Sequence, residues 1–133
     1  MHLPKNPNND QILELVEQWI DDLASGEYEA AFSKTERDPY YKWTPALIRE
    51  VIRGYGLPEP HPSGEVFAVT SRKSAVGNPP QQIVDRENVS PPVFAEVWYD
   101  LPLNGKWSDL TATFRIENRT KGSVIILQEI HVF

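Results

Sequence analysis

The chain has no cysteine, a single methionine and three histidines in 133 residues. Without cysteine there is no thiolate nucleophile, no disulfide, and no sulfur ligand for zinc or an iron–sulfur cluster. Histidine is nearly as scarce. His2 falls in the N-terminal stretch and His61 in a proline-rich loop, which leaves His131 as the one histidine in a predicted strand. A multi-histidine metal site is therefore not expected, and no cofactor is expected either. The Gly-rich phosphate loop, the G-x-S-x-G elbow, the H-E-x-x-H helix and the EF-hand loop are all missing.

Long apolar runs are missing too. None exceeds the length of Val124–Leu127, against the ~20 residues that cross a bilayer. The opening MHLPKNPNND lacks the apolar core of a secretory signal. The expectation is a soluble, cytoplasmic protein with no membrane partner. Positive charge is also in deficit, with 13 Lys and Arg against 19 Asp and Glu, a net −6. Most of the imbalance lies in the first half: residues 1–64 carry 11 acids and 6 bases, residues 65–133 carry 8 and 7. No basic stripe exists to neutralise phosphates, so a nucleic-acid partner is not expected.

What is present reads as one α+β domain over residues 1–133, N-terminal helices packed on a strongly curved, mainly antiparallel sheet (a cone or half-barrel). Residues 1–8, with Pro4 and Pro7, form a loose lead-in, 9–56 a helical part and 65–133 a sheet part. Asn8, Asn9 or Asp10 can cap a first helix. Its Ile12, Leu15, Val16, Trp19, Ile20 and Leu23 recur at helical spacing, and Gly26 supplies the left-handed stop. A second helix runs from Glu27 to about Lys34. Thr44-Pro45 starts a third, which buries Leu47, Ile48, Val51 and Ile52 and ends at Gly54 or Gly56. After the turn-rich LPEPHPSG at 57–64 the period changes to two, with strands at 66–71, 82–87, 93–101, 108–117 and 123–133.

Strand parity carries the functional reading. A hairpin with Asn104-Gly105 at its tip sets Val93, Ala95, Val97, Tyr99 and Leu101 on one face with Leu110, Ala112, Phe114 and Ile116. The reverse face carries Glu96, Trp98 and Asp100 beside Asp109, Thr111, Thr113 and Arg115. A tryptophan among polar residues needs a partner surface, so Trp98, Glu96, Asp100, Thr111 and Thr113 form a candidate interface. In the last strand both parities are mostly apolar, which leaves its register open. One register faces His131 with Asp109, where a carboxylate can poise an imidazole for proton transfer. The other puts Glu129 and His131 inside the cone. Tyr41, in the aromatic cluster Tyr40, Tyr41 and Trp43, is a further acid–base candidate.

The step ASGEYEAA (residues 24–31) after the first helix, and the helix start TPALIRE (residues 44–50), resemble the nuclear-transport-factor-like superfamily, the cystatin-like α+β cone. The resemblance implies a bent sheet wrapped on helices, a pocket in the cone and dimerisation through the sheet's outer face. It spans enzymes and binding proteins alike, so it assigns no activity. Two functions follow as expectations. The first is a non-catalytic interaction module, a homodimer through the outer face, that recognises a protein partner, an immunity-type role included, or a small apolar ligand. The alternative is an isomerase or dehydratase with His131, Asp109, Glu129 or Tyr41 as acid–base residue in the cone.

Overall fold

Helix α1 (Asn9–Ala24) begins where side chains replace the missing helical partners. Asn8 accepts from the Gln11 N–H, and the Gln11 side chain accepts from the Asn8 N–H, at 2.8 and 2.9 Å, a reciprocal capping box. Its stop is a Schellman motif. Gly26, at φ +77°, donates to the Leu23 carbonyl, and Glu27 donates to that of Asp22. Helix α2 (Tyr28–Ser33) follows at once, and an ion pair between Lys34 and Asp22 fastens its end to α1. Helix α3 (Pro45–Arg53) starts on the Thr44 hydroxyl, which accepts from the Leu47 N–H at 3.1 Å. The helix stops at Gly54, where a Cβ would lie 2.0 and 2.2 Å from the carbonyl oxygens of Leu57 and Glu59.

The computed structural model describes residues 3–133, so His2 lies outside the described residues. Strands β1 (Gln82–Asp85), β2 (Val93–Leu103), β3 (Lys106–Arg119) and β4 (Gly122–Val132) form one antiparallel meander in that order. With three helices on one face of an unclosed sheet, the fold is the α+β arrangement expected. Leu103 pairs with Lys106 across a two-residue turn, in which Asn104 and Gly105 both have positive φ. This is the hairpin geometry that Asn-Gly favours.

Two segments differ from expectation. Residues 66–71 form no strand; they make a single bridge, Val69 to Leu103. Their neighbour on β2 is Pro102, which has no N–H to donate and only accepts, from Thr70, so a ladder cannot extend there. The lead-in is tied down from Leu3 onward. Leu3 is buried and its carbonyl accepts from the Ser123 N–H at 3.0 Å, while the Pro7 carbonyl accepts from Arg86 at 2.7 Å. Leu3 belongs to the core, and Gly122 permits its backbone to approach: a Cβ there would sit 2.5 Å from the Leu3 oxygen.

The inner face of the sheet is filled. Ala95, Val97, Tyr99 and Leu101 of β2 and Leu110, Ala112, Phe114 and Ile116 of β3 are all buried against the stripe of α1. Trp19 meets Phe114 edge to face, centroids 5.0 Å apart at 88°, a favourable aromatic geometry. The Tyr99 hydroxyl donates to Glu17 at 2.8 Å and accepts from the Gln82 amide at 3.0 Å. Burial and then the bond to Glu17 push that phenol above its ordinary pKa. Arg72 grips Asp21 with two bonds of 2.8 and 2.9 Å and lies 3.3 Å from Glu17. These contacts hold the irregular 65–81 connector against α1.

Candidate binding site

The site residues are positioned by a bulge. In the first part of β4, Ile125 pairs with Ile116 and Leu127 with Phe114, so odd residues face inward. The register then shifts, Ile130 pairs with Ala112 and Val132 with Leu110, and even residues face inward. Gln128 is the extra residue, and each one-residue insertion flips the side-chain parity of everything after it. Each parity of β4 lines the core on one side of the bulge, and before it Ile126, opposite Arg115 on the outer face, is buried as well.

The consequence is that Glu129, opposite Thr113, and His131, opposite Thr111, share the outer face. Of the two expected registers, the one that sets His131 on the face of Asp109 holds in parity, but the pairing lies two residues off, with His131 opposite Thr111. Glu129 and His131 do not enter the cone, and Asp109 does not face His131. Asp109 instead accepts from the Tyr55 hydroxyl, and burial followed by that bond raises the Tyr55 pKa. Tyr41 lies beside the β4 edge, where burial first and the Glu129 charge second raise its pKa. The filled inner face therefore contains none of the four acid–base candidates.

Trp98 does lie on the outer face, opposite Thr113 on β3 and Ile83 on β1. Its ring stacks on Phe133, centroids 4.5 Å apart and tilted by 48°, and Phe133 in turn meets the His131 ring at 5.1 Å. Phe133 is 59% exposed and Ile83 43%. Three large side chains thus form an apolar patch on a polar sheet face. Glu96 and Asp100 flank Trp98 as parity requires. Thr111 and Thr113 occupy the same face but are buried, which corrects their assignment as contact residues. Their hydroxyls are used internally: Thr111 donates to Asp100 at 2.7 Å and Thr113 accepts from the Glu129 N–H at 3.1 Å.

Carboxylates dominate this face. Asp85, Glu96, Asp100, Asp109, Glu117 and Glu129 project to it by register. Its arginines, Arg115 and Arg119, are both bound to Glu117. Arg115 also pairs with Asp38, which belongs to a strap, residues 35–44, running along the edge of β4. The Glu36 N–H donates to the Ile125 carbonyl at 2.7 Å, and the Trp43 indole N–H to the Gln128 carbonyl at 2.9 Å. The strap covers polar groups that an edge strand would otherwise offer to another chain. Burial would raise the Asp38 carboxyl, but bonds from Arg115 and from the Tyr40 and Tyr41 backbone outweigh it and hold its pKa low.

The strap creates two concavities. A shallow notch of 420 Å³ joins Tyr40, Tyr41 and Trp43 to Glu129 and His131. A deeper pocket of 620 Å³ lies between strap, helices and Leu127. Phe133 and Ile83 were legible as outward residues only once the bulge and the short β1 pairing were known. Asp38 carried no local signal at all.

No protein-family model, curated protein or solved structure matches the chain. The functional reading therefore rests on this geometry.

Proposed function

We propose that the chain is a non-catalytic interaction domain whose outer sheet face docks a basic protein segment. The observation that carries the reading is the Trp98–Phe133 stack beside Ile83, ringed by carboxylates. A partly buried tryptophan anchor within a polar rim has the anatomy of a binding hot spot. The rim charge selects the partner: lysine or arginine side chains around an apolar residue complement it, and like charges are repelled. The notch extends the surface, since tyrosine rings beside Glu129, which has no ion pair among the described residues, suit an incoming cation. An immunity protein that masks a basic toxin is one instance of this chemistry. Helices first and a one-faced meander last, with ASGEYEAA closing α1, support the nuclear-transport-factor-like reading of the fold.

A second copy of the chain is the other occupant of such a face, and it would bring two carboxylate rims together. Sedimentation separates the two. The basic-partner reading expects a monomer in dilute solution, and a peptide alternating Lys with Leu that binds about fivefold more weakly to Glu96→Gln/Glu129→Gln. A stable dimer that dissociates on Trp98→Ala would assign the face to a second copy and overturn this reading.

A further inference from the structure

The pocket beneath the strap has a chemistry of its own. Its 620 Å³ falls within the ~300–1,000 Å³ typical of small-molecule sites. Phe32, Pro39, Trp43, Pro45 and Leu127 supply apolar walls. The wall hydroxyls are already engaged, Thr35 donating to the Phe32 carbonyl at 2.8 Å and Thr44 capping α3 at 3.1 Å. Asp38 is bound to Arg115. The polar groups left to meet a ligand are therefore charged ones on the rim: Arg37, Lys42 and Glu36.

The two cations outnumber the one free acid. Among the described residues neither Arg37 nor Lys42 forms an ion pair. Arg37 lies 5.9 Å over the Phe32 ring, at the pocket wall. Lys42 is held at φ +51°, and its N–H donates to the Asp38 carbonyl at 3.2 Å. A left-handed residue with a long side chain is uncommon, since glycine or asparagine suits that turn better. Lysine there keeps an ammonium group at the mouth.

We infer that this pocket binds a small amphipathic anion, an aromatic or alkyl body in the apolar walls with its carboxylate or sulfonate at Arg37 and Lys42. The site shares Trp43 with the notch but no residue with the Trp98 patch, and it stands whether or not that patch docks a protein. Amide and indole NMR spectra of the full chain, titrated with naphthoate, naphthylmethanol and naphthylmethylammonium, test it. Naphthoate is expected to bind at one site, shifting the Trp43 indole N–H and Leu127 while leaving Trp98 still. The alcohol should bind more weakly and the ammonium weakest. In Arg37→Gln/Lys42→Gln, naphthoate affinity should fall about five- to tenfold toward that of the alcohol, with alcohol binding unchanged. Both substitutions are on exposed side chains, so the fold survives them. Equal binding of all three probes, an unchanged affinity in the double variant, or unmoved Trp43 and Leu127 signals would overturn the inference.

Discussion

Deleting Gln128 removes the bulge and leaves the faces of β4 in place. Leu127 stays opposite Phe114 and Glu129 opposite Thr113. The shortened strand then alternates regularly, with Ile125, Leu127, Ile130 and Val132 inward and Glu129 and His131 outward. What is lost is the Gln128 carbonyl that accepts from the Trp43 indole N–H. Leaving that half-buried donor without its acceptor costs about 1–3 kcal/mol. At ~2.1 cal/mol/K per residue over 133 residues, Tm should fall by roughly 4–10 °C. Gln128→Ala is the control: the anchor uses the backbone carbonyl, so Tm should move by at most about 3 °C. Calorimetry or circular dichroism melts of the three proteins decide. A deletion variant that fails to fold, or an alanine variant as damaged as the deletion, would refute Gln128 as the one extra residue of the bulge.

Gly54→Ala places a methyl group against the Leu57 and Glu59 carbonyls and should cost about 1–3 kcal/mol, read as a lower urea midpoint. Gly26→Ala, where space is open but φ is positive, should cost about 1 kcal/mol. Asp38 and Glu117 both have lowered pKa values, their burial outweighed by bonds from Arg115 and, for Glu117, Arg119. A lowered carboxylate pKa stabilises the fold above the ordinary carboxylate range, and that contribution is lost as pH falls through the lowered values. Stability should therefore drop on acidification below about pH 4, and Asp38→Asn should flatten that limb. An unchanged acid slope in the variant would show that the strap pair contributes nothing.

The helices were legible because their signals are local. Asn8 with Gln11, Gly26, and Thr44-Pro45 each act within one turn of chain. The main hairpin was legible for the same reason, since Asn104-Gly105 fixes the turn and period-two alternation fixes the faces. The end of β4 was not. Its two apolar parities read as a strand covered on both faces, which holds at Ile126, and that reading concealed the bulge. Residues 66–71 alternate like a strand, but a ladder needs a partner with an N–H, and Pro102 is distant in sequence. The strap was invisible because Asp38 meets Arg115 and Trp43 meets Gln128 only in the fold. The outward Trp98 survived from sequence to structure. Its company did not: Phe133 and Ile83 join it, while Thr111 and Thr113 withdraw.

The central claim is that Trp98 anchors a basic partner on the outer face. Its most direct test is a titration of the labelled chain with short peptides alternating Lys with Leu or Glu with Leu, followed at the Trp98 indole N–H. The expected result is a saturable shift of Trp98, with Phe133 and Ile83, for the lysine peptide only, weakening as salt is raised. In Trp98→Ala the shifts of Phe133 and Ile83 should disappear, with Tm lowered by no more than about 5 °C. Equal binding of the acidic peptide, or binding of the basic one with Trp98 unmoved, would contradict the account.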